Sequence, residues 1–341
     1  MTLITTNVQC KIKNSFRVQQ VAGMFDLPVN DSAQEQFEVD VPSTDEAWQI
    51  GAIVGPSGSG KSTVARAAFG DAFYQPGQWS RESAVIDGFG DLPIKQITRA
   101  LTAVGLGSPP SWLKPYQVLS TGEKFRCELA RALLRGTSLQ TCLKASEART
   151  SQEIRSTVVF DEFTSVVDRT VARVASAAVA KAIRGGHVGS RLVVVSCHDD
   201  ILPWLSPDWV VDMAARTCTW NAAERRCLRR PAIRLEIVRA KRAAWRIFAR
   251  HHYLSGSLSR AAQVFLAIWQ DRPVALCAVV AMYGHKGRRR IHRLVTLPDF
   301  QGIGIGSALL DHISQLEQSR GQRVNITTSH PGVIAHCRGS P

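Results

Sequence analysis

Nine consecutive residues carry the strongest chemical signal in the chain. They are Gly55, Pro56, Ser57, Gly58, Ser59, Gly60, Lys61, Ser62 and Thr63. The first eight, Gly55 to Ser62, fit the phosphate-binding pattern G-x-x-x-x-G-K-[ST] without a mismatch. Backbone amides at a helix N-terminus favour bound anions. Lys61 is therefore predicted to reach the β- and γ-phosphates of a nucleoside triphosphate, and the Ser62 hydroxyl to bind Mg²⁺.

The flanking residues predict the elements that position this loop. The apolar run from Ile50 to Val54 reads as a buried strand, and residues 64–69 read as a helix. The alternative is a glycine-rich strand-to-helix turn that binds nothing. Phe37 and Trp48, upstream of the loop, are candidates to stack on an adenine ring, although an aromatic core position explains each of them as well.

Three later stretches add polar groups at the ends of apolar runs. Leu119 to Glu123 reads Leu-Ser-Thr-Gly-Glu and opens an amphipathic helix. Residues 157–160 are mostly apolar and lead to Asp161, Glu162 and then Asp168, and residues 191–197 lead to His198. With the glycine-rich loop, these stretches resemble ABC-type ATPases, in family order: the signature L-S-G-G-[QE], Walker B, the D-loop and the switch histidine. Thr121 replaces one signature glycine.

The resemblance implies a mechanism and a partner. Asp161 would hold Mg²⁺ through water, Glu162 would polarise the attacking water, and His198 would contact the γ-phosphate of ATP. Ser120 and Gly122 would complete the site of a second copy, so a homodimer closed by ATP is expected, with Asp168 near the shared nucleotide.

Two features depart from transporter ATPases. Only 59 residues separate Lys61 from Ser120, and the expected Q-loop position reads Asp-Gly-Phe-Gly-Asp over 87–91. Residues 139–154 are polar without an apolar period and suggest a surface insertion. These departures weaken an interpretation as the ATP-binding subunit of an ABC transporter.

The charge is unevenly distributed. Residues 221–341 contain 20 Lys and Arg against 6 Asp and Glu, which accounts for the entire net charge of +14. This asymmetry predicts a second domain with a polyanionic partner such as nucleic acid, or else a basic but inert domain. Lys286, Arg288, Arg289 and Arg290 form the densest basic cluster.

A second glycine-rich loop lies in this basic part. It comprises Gln301, Gly302, Ile303, Gly304, Ile305 and Gly306. The loop follows a predicted strand at 290–297 and precedes a predicted helix, and it resembles the [QR]-x-x-G-x-[GA] coenzyme A motif of GNAT acyltransferases. The resemblance implies that backbone amides bind the pyrophosphate of acetyl-CoA or another acyl-CoA. A plain strand-to-helix turn is the alternative.

Other elements of a GNAT fold are expected around that loop. Strands are predicted at 232–238 and 323–328, a helix at 241–253, and a hairpin from strands 264–269 and 273–282. Residues 251–255 and 292–295 also resemble, more loosely, the Mom family of phage DNA-modification proteins. The tail at 336–341 does not resemble the helix and strands that normally follow, so a truncated domain of poor solubility is expected. Tyr253, His252 and His292 are possible acid/base groups, each with a structural role as the alternative.

The predicted fold is α/β, with a P-loop ABC-type ATPase domain at 1–220, a basic linker at 221–231 and a C-terminally incomplete GNAT-like α+β domain at 232–341. The first domain is expected to contain strands within 1–50 and at 83–89, helices within 93–118 broken near 105–110, and a helix at 170–184. Eight scattered cysteines without C-x-x-C pairs indicate a reduced, cytoplasmic protein. No apolar run is long enough to cross a membrane.

The function these features favour combines ATP hydrolysis with acyl transfer to nucleic acid or a nucleic-acid-bound substrate. The alternatives are a DNA-binding remodelling or repair ATPase without acyl transfer, a transporter ATPase subunit, and acylation of a small molecule or protein.

Overall fold

The computed structural model describes residues 1–28, 32–144, 156–221, 231–252 and 256–339. The predicted polar insertion lies mostly outside these residues, as do most of the predicted linker and Tyr253. The α/β class predicted from the sequence is confirmed, with a parallel sheet in the first half and a mainly antiparallel sheet in the second.

The first half contains a two-stranded sheet and a five-stranded sheet. Its described strands are β1 (Thr2–Lys11), β2 (Ser32–Val41), β3 (Ile50–Val54), β4 (Thr157–Phe160), β5 (Arg191–Ser196), β6 (Trp209–Asp212) and β7 (Thr217–Trp220). β1 and β2 pair antiparallel. The sheet has the order β4-β5-β3-β6-β7, and only the β6–β7 pair is antiparallel. β3 lies at its centre with all five residues buried.

The described part of the first half also contains helices. They are α1 (Phe16–Phe25), α2 (Lys61–Phe69), α3 (Ile94–Ala103), α4 (Pro109–Trp112), α5 (Thr121–Lys144), α6 (Arg169–Arg184) and α7 (Leu202–Leu205). The break between α3 and α4 and the helix at 170–184 were predicted and are confirmed.

The strand predicted at 83–89 is wrong. Residues Val85–Phe89 form a 3₁₀ helix, in which Val85 and Phe89 are buried. Extended pairing is limited to a single bridge between Ala84 and Pro115. A proline has no N–H to continue a ladder, so the strand cannot extend there.

The second half is a five-stranded sheet with helices on its faces. Its described strands are β8 (Glu236–Ala240), β9 (Gln263–Trp269), β10 (Arg272–Ala281), β11 (Arg288–Thr296) and β12 (Arg323–Ile326), and its helices are α8 (Trp245–Phe248), α9 (Ile305–Ser319) and α10 (Pro331–Gly339). The order is β12-β11-β10-β9-β8, and only β11–β12 is parallel. The β9–β10 hairpin turns at Gln270 and Asp271, whose φ angles are 51° and 60°, as a two-residue turn of the primed type requires.

Two helix predictions need correction here. Residues 242–251 are helical, but 3₁₀ turns at both ends leave only Trp245–Phe248 as α-helix. The tail at 336–341 was predicted not to resemble the helix and strands that normally follow, yet its residues up to Gly339 belong to α10, which runs from Pro331 to Gly339. Proline is favoured at a helix start, and His336 Nε2 lies 2.7 Å from Asp311 Oδ1 of α9, so tertiary contact fixes a helix that the apolar pattern does not reveal.

The two halves share one core through α6 and α7. Val174 and Ala177 of α6 are buried in the same cluster as Phe265 and Phe300 of the second half. Other α6 residues face the core of the first half. α6 therefore lies between the two sheets and fixes how their loops meet.

Candidate functional site

The phosphate-binding loop joins the buried end of β3 to the start of α2. Gly58 and Gly60 have φ angles of 81° and 82°, a backbone region that favours glycine. A Cβ built on Gly60 would lie only 2.5 Å from Cε1 of Phe37. Among the described residues, the amides of Gly58, Gly60 and Lys61 have no hydrogen-bond acceptor. The loop therefore presents free donors at a helix N-terminus, as a phosphate requires.

Polar side chains converge on this loop. Lys61 Nζ donates to the Pro56 carbonyl at 2.6 Å and so lies across the loop. The Ser62 hydroxyl donates to Asp161 Oδ1 at 2.9 Å, which connects the start of α2 to the end of β4. Ser59 Oγ is buried without a hydrogen-bond partner in the described part of the chain. A hydroxyl beside a carboxylate suits Mg²⁺, and the orphaned hydroxyl suits a phosphate oxygen.

Glu162 is the second residue after the end of β4. Its φ of 49° is rare for a residue with a side chain. Its backbone amide donates to Asp161 Oδ1 at 2.9 Å. The side chain of Glu162 is exposed, whereas Phe163 beside it is buried. The turn therefore sends the Glu162 carboxylate away from the core, where it can reach a water molecule.

His198 lies in the loop after β5, and Asp168 lies directly before α6. The His198 amide donates to Ser196 Oγ at 3.1 Å, and Ser196 Oγ donates to the Phe163 carbonyl at 2.9 Å. Ser196 thus links the Walker B end to the histidine. Asp168 caps α6 by accepting from the amides of Thr170 and Val171. The predicted D-loop aspartate therefore has a structural role as a helix cap.

The signature begins α5 with a reciprocal cap. The Glu123 amide donates to Ser120 Oγ at 3.3 Å, and the Ser120 amide donates to Glu123 Oε2 at 3.0 Å. Burial by itself would raise the pKa of the Glu123 carboxyl, but hydrogen bonds from Ser111 and Ser120 outweigh it and hold this pKa below its usual range. Gly122 lies against Val171 of α6. These contacts hold the first turn of α5 in place.

Neither aromatic candidate is presented to an adenine ring. Phe37 is 5% exposed and packs under Gly60. Trp48 is 4% exposed and lies edge-to-face with Trp209 at 5.4 Å between ring centroids. Both residues belong to the core beneath α2, which is the alternative that the sequence left open.

The second glycine loop also ends at a helix N-terminus. Gly302 and Gly304 have φ angles of 87° and 93°, and α9 begins at Ile305. A Cβ on Gly306 would approach Thr296 Oγ1 to 2.8 Å, so only glycine fits there. In the described part of the chain, the amides from Ile303 to Ser307 have no hydrogen-bond acceptor. These donors fit a diphosphate.

The Gln301 side chain was expected to help bind coenzyme A, but both ends of its amide are hydrogen-bonded within the chain. Its Nε2 donates to the Thr296 carbonyl at 2.9 Å, and its Oε1 accepts from the Gly107 amide at 2.7 Å. Lys181 of α6 places its Nζ 3.9 Å from a Cβ built on Gly304. The first half of the chain therefore forms one wall of this loop, which no sequence motif indicated.

His292 lies at an irregularity in β11. Ala278 pairs with Arg293 and Val279 pairs with Ile291, so His292 is the extra residue of a β-bulge. Its Nδ1 is buried without a partner in the described part of the chain. Burial, and then the neighbouring Arg293 and Arg290, lower the pKa of the imidazole. Bulges often re-aim a side chain beside an active site, so His292 stays a candidate base, whereas His252 packs edge-to-face on Trp245.

The basic cluster borders a surface cavity of about 530 Å³. Lys286, Arg288 and Arg289 line it together with the turn after β10. Arg289 is engaged with the buried Glu317 carboxylate at 3.3 Å. The remaining charges are available to a polyanion at the surface.

Arg126 has a marked electrostatic environment that sequence reasoning missed. It belongs to the apolar stretch of α5, is completely buried, and has Asp299 of the second half 3.7 Å from its Nη2. A charged residue at a helical core position was the available signal.

Among the described residues, no group of three or more His, Cys, Asp and Glu side chains could hold a metal ion without help from a ligand. The same residues include no helix long and apolar enough to span a bilayer.

Comparisons with solved structures give two kinds of similarity. A dimeric ATP-binding cassette in a post-hydrolysis state, bound to ADP and Pi, is 13% identical over 64% of this chain and 98% of that chain, with a TM-score of 0.42. The cbiO1 protein from Clostridium perfringens, part of the ABC transporter complex cbiONQ, is 18% identical over 54% of this chain and 79% of that chain, with a TM-score of 0.37.

The ribosomal-protein-S18-alanine N-acetyltransferase from Escherichia coli is 19% identical over 31% of this chain and 75% of that chain, with a TM-score of 0.27. No curated protein sequence matches the chain. These TM-scores lie below 0.5, so the proposals below depend on the site geometry and on one sequence match. That match is to the family described as acetyltransferase (GNAT) domain, and it covers residues 260–335.

Proposed function

We propose that the chain hydrolyses ATP as an ABC-type ATPase and transfers an acyl group from coenzyme A in its second half. The observation that carries the first activity is the Ser62–Asp161 hydrogen bond, since it brings both candidate Mg²⁺ ligands to the phosphate loop. The second activity is supported by the GNAT family match together with the free amides at the start of α9.

The residues of the first site divide the chemistry among them. Loop amides and Lys61 bind and orient the triphosphate, whose oxygens carry the charge of the transition state. Ser62 and Asp161 would hold Mg²⁺, which supplies further positive charge to the phosphate oxygens. Glu162 orients the attacking water and accepts its proton. His198 contacts the γ-phosphate from the neighbouring loop.

The site is proposed to be completed by a second copy of the chain. Ser120 and Gly122 present a rigid, partly exposed helix start, and a helix N-terminus stabilises a phosphate. In the homodimer, this surface closes over ATP bound to the partner, with the D-loop around Asp168 beside it. The six described cysteines form no disulfide, which suits the cytoplasm as the proposed location.

In the second half, the loop from Gln301 to Gly306 binds the diphosphate of acetyl-CoA or another acyl-CoA. Acyl-CoA supplies an activated thioester when bound. His292 accepts a proton from the acceptor nucleophile, because its lowered pKa keeps the imidazole neutral near pH 7.

We propose nucleic acid as the acceptor, or as the carrier of the acceptor. The support is the basic cavity beside β10 and the loose resemblance to Mom DNA-modification proteins. Lys and Arg side chains of this kind bind phosphates without reading sequence.

One experiment separates this proposal from its alternatives. Purified chain is incubated with ATP, Mg²⁺, radiolabelled acetyl-CoA and DNA, and both phosphate release and label transfer are followed. Glu162→Gln is expected to lower ATP turnover at least a hundredfold while ATP still binds. Glu82→Gln, an exposed carboxylate outside the site, should keep wild-type turnover.

The outcomes assign the function. ATP turnover stimulated by DNA without label transfer would indicate a remodelling ATPase. Label transfer to protein or small molecules would remove nucleic acid as acceptor. Wild-type turnover in Glu162→Gln would contradict the proposed role of that residue.

A further inference from the structure

The coenzyme A loop does not stand free of the ATPase half. A Cβ built on Gly302 would lie 2.7 Å from Cβ of Ala178 in α6 and 2.9 Å from Cα of Gly105 in the α3–α4 turn. The neighbouring Gly107 amide donates to Gln301 Oε1 at 2.7 Å. Gly302 therefore touches the backbone of the first half as closely as a glycine can, and that side of the loop is closed to a ligand.

A buried charge joins the two halves at the same place. Arg126 of α5 is 0% exposed, and among the described residues none of its three guanidinium nitrogens has a hydrogen-bond acceptor. Its ion-pair partner is Asp299, 3.7 Å away. A buried guanidinium without hydrogen bonds is costly. Asp299 offsets this cost only in part, so a small change in charge nearby can shift the contact.

Asp299 also lies beside the signature. A Cβ built on Gly122 would be 3.8 Å from Asp299 Oδ1. A phosphate bound at Ser120 and Gly122 would therefore bring a second anion next to this carboxylate. Like charges repel, and the repulsion of the half-exposed Asp299 carboxylate strengthens when the partner copy covers the site and removes water. Because Asp299 lies two residues before Gln301, its displacement would draw the coenzyme A loop away from Gly105 and Ala178.

We propose that Arg126 is a positioning residue that couples the two sites, so that ATP bound across the signature frees the coenzyme A loop and increases its affinity for coenzyme A. This inference rests on the proposed function and adds regulation to it. ATP and coenzyme A are then reciprocal effectors, and each raises the affinity of the other by the same factor.

The test measures coenzyme A binding by titration calorimetry on the full chain carrying Glu162→Gln, so that ATP is retained. We expect coenzyme A to bind about tenfold more tightly with ATP and Mg²⁺ than without, within the range usual for coupled sites. The dissociation constant of ATP should fall by the same factor when coenzyme A is present. Equal coenzyme A affinity in both conditions would overturn the coupling and leave the proposed function intact.

The role of Arg126 is tested by adding Arg126→Met to the same chain. Coenzyme A should still bind, but the ratio of affinities with and without ATP should fall to about one. Arg131→Met is the matched control, because Arg131 lies on the same helix but packs on Trp79, away from the second half. It should keep the tenfold ratio.

Asp299→Asn provides a second test, because its half-exposed side chain can lose its charge without an internal cavity. This variant should also bring the ratio of coenzyme A affinities with and without ATP to about one. A ratio that stays near ten in both Arg126→Met and Asp299→Asn would overturn the inference. No coenzyme A binding in any condition would instead contradict the acyltransferase function itself, and this inference with it.

Discussion

At the scale of single residues, Gly60 meets two requirements at once. Its φ of 82° favours glycine, and the ring of Phe37 leaves no room for a Cβ. The phosphate loop thus keeps its shape because a core aromatic supports it from below. The sequence motif explains glycine at this position by the need to bind phosphate. The packing of Gly60 against Phe37 became visible only in the structure.

Gly60→Ala is therefore expected to lower both stability and ATP binding. A strained backbone of this kind costs about 1–3 kcal/mol, and ATP affinity should fall at least tenfold. Denaturant unfolding and nucleotide titration provide the measurements. Gly23→Ala is the control, since a Cβ there meets no atom within 4 Å and the residue lies inside α1; it should be neutral or slightly stabilising. Unchanged ATP affinity in Gly60→Ala would contradict the role given to the loop.

His292 predicts a pH dependence of stability. Burial, together with Arg293 and Arg290, lowers the pKa of its imidazole in the folded chain. A group of this kind stabilises the fold above its unfolded pKa of about 6.5, and that contribution is lost as the pH falls through the lower folded pKa. As the pH falls from 7.5 to 5, the free energy of unfolding should therefore decrease less in His292→Gln than in the wild type.

Thermal unfolding of both proteins across this range measures the difference. His251, whose pKa is also lowered by burial and by Arg250, is present in both and cancels in the comparison. Parallel pH profiles for the two proteins would show that His292 does not titrate differently on unfolding.

At the scale of elements, sequence patterns correctly predicted helices and strands where a local signal, such as an apolar run or a motif, determines the structure. Strand β3, the phosphate loop and helix α2 follow from an apolar run and a complete motif, and the β9–β10 hairpin follows from alternation. The patterns failed at Val85–Phe89 and at α10, where tertiary contacts decide: a proline stops one strand, and a partner on α9 holds one helix. Local periodicity contains no information about such partners.

The first turn of α5 carries the clearest element-scale prediction. Ser120 and Glu123 satisfy each other's backbone amides, so Ser120→Ala should cost about 0.5–2 kcal/mol of stability. Thr121→Ala, at the exposed next position, should change stability by less than about 0.5 kcal/mol. Denaturant unfolding separates the two. Equal losses for both variants would mean that the reciprocal cap does not stabilise α5.

At the scale of the whole molecule, the charge asymmetry predicts two domains but gives no sign of how they meet. The interface includes small and apolar residues, among them Val174 and Ala177 of α6, which an amphipathic pattern assigns simply to a core. It also includes the Arg126–Asp299 ion pair and the hydrogen bond from Gly107 to Gln301. Most of the predicted linker lies outside the described residues. The contacts on which the proposed coupling depends join residues distant in sequence, such as Arg126 and Asp299, so the sequence did not reveal them.

Trp204 of α7 tests whether the halves fold as one unit. It is 8% exposed and lies edge-to-face with Trp269 of β9, 6.1 Å between centroids. Trp204→Ala should destabilise the chain by about 3–5 kcal/mol, since truncation leaves a cavity in the shared core. Hydrogen exchange should speed up in β9 and β10 of the second half, although the substitution is in the first.

Trp79→Ala provides the comparison, because Trp79 stacks on Tyr116 within the first half, 4.6 Å between centroids. Its exchange changes should stay in the first half. If Trp204→Ala left the exchange of β9 and β10 unchanged, the core would not be shared energetically. The two halves would then fold as separate units, and the Arg126–Asp299 contact would couple them without a shared core.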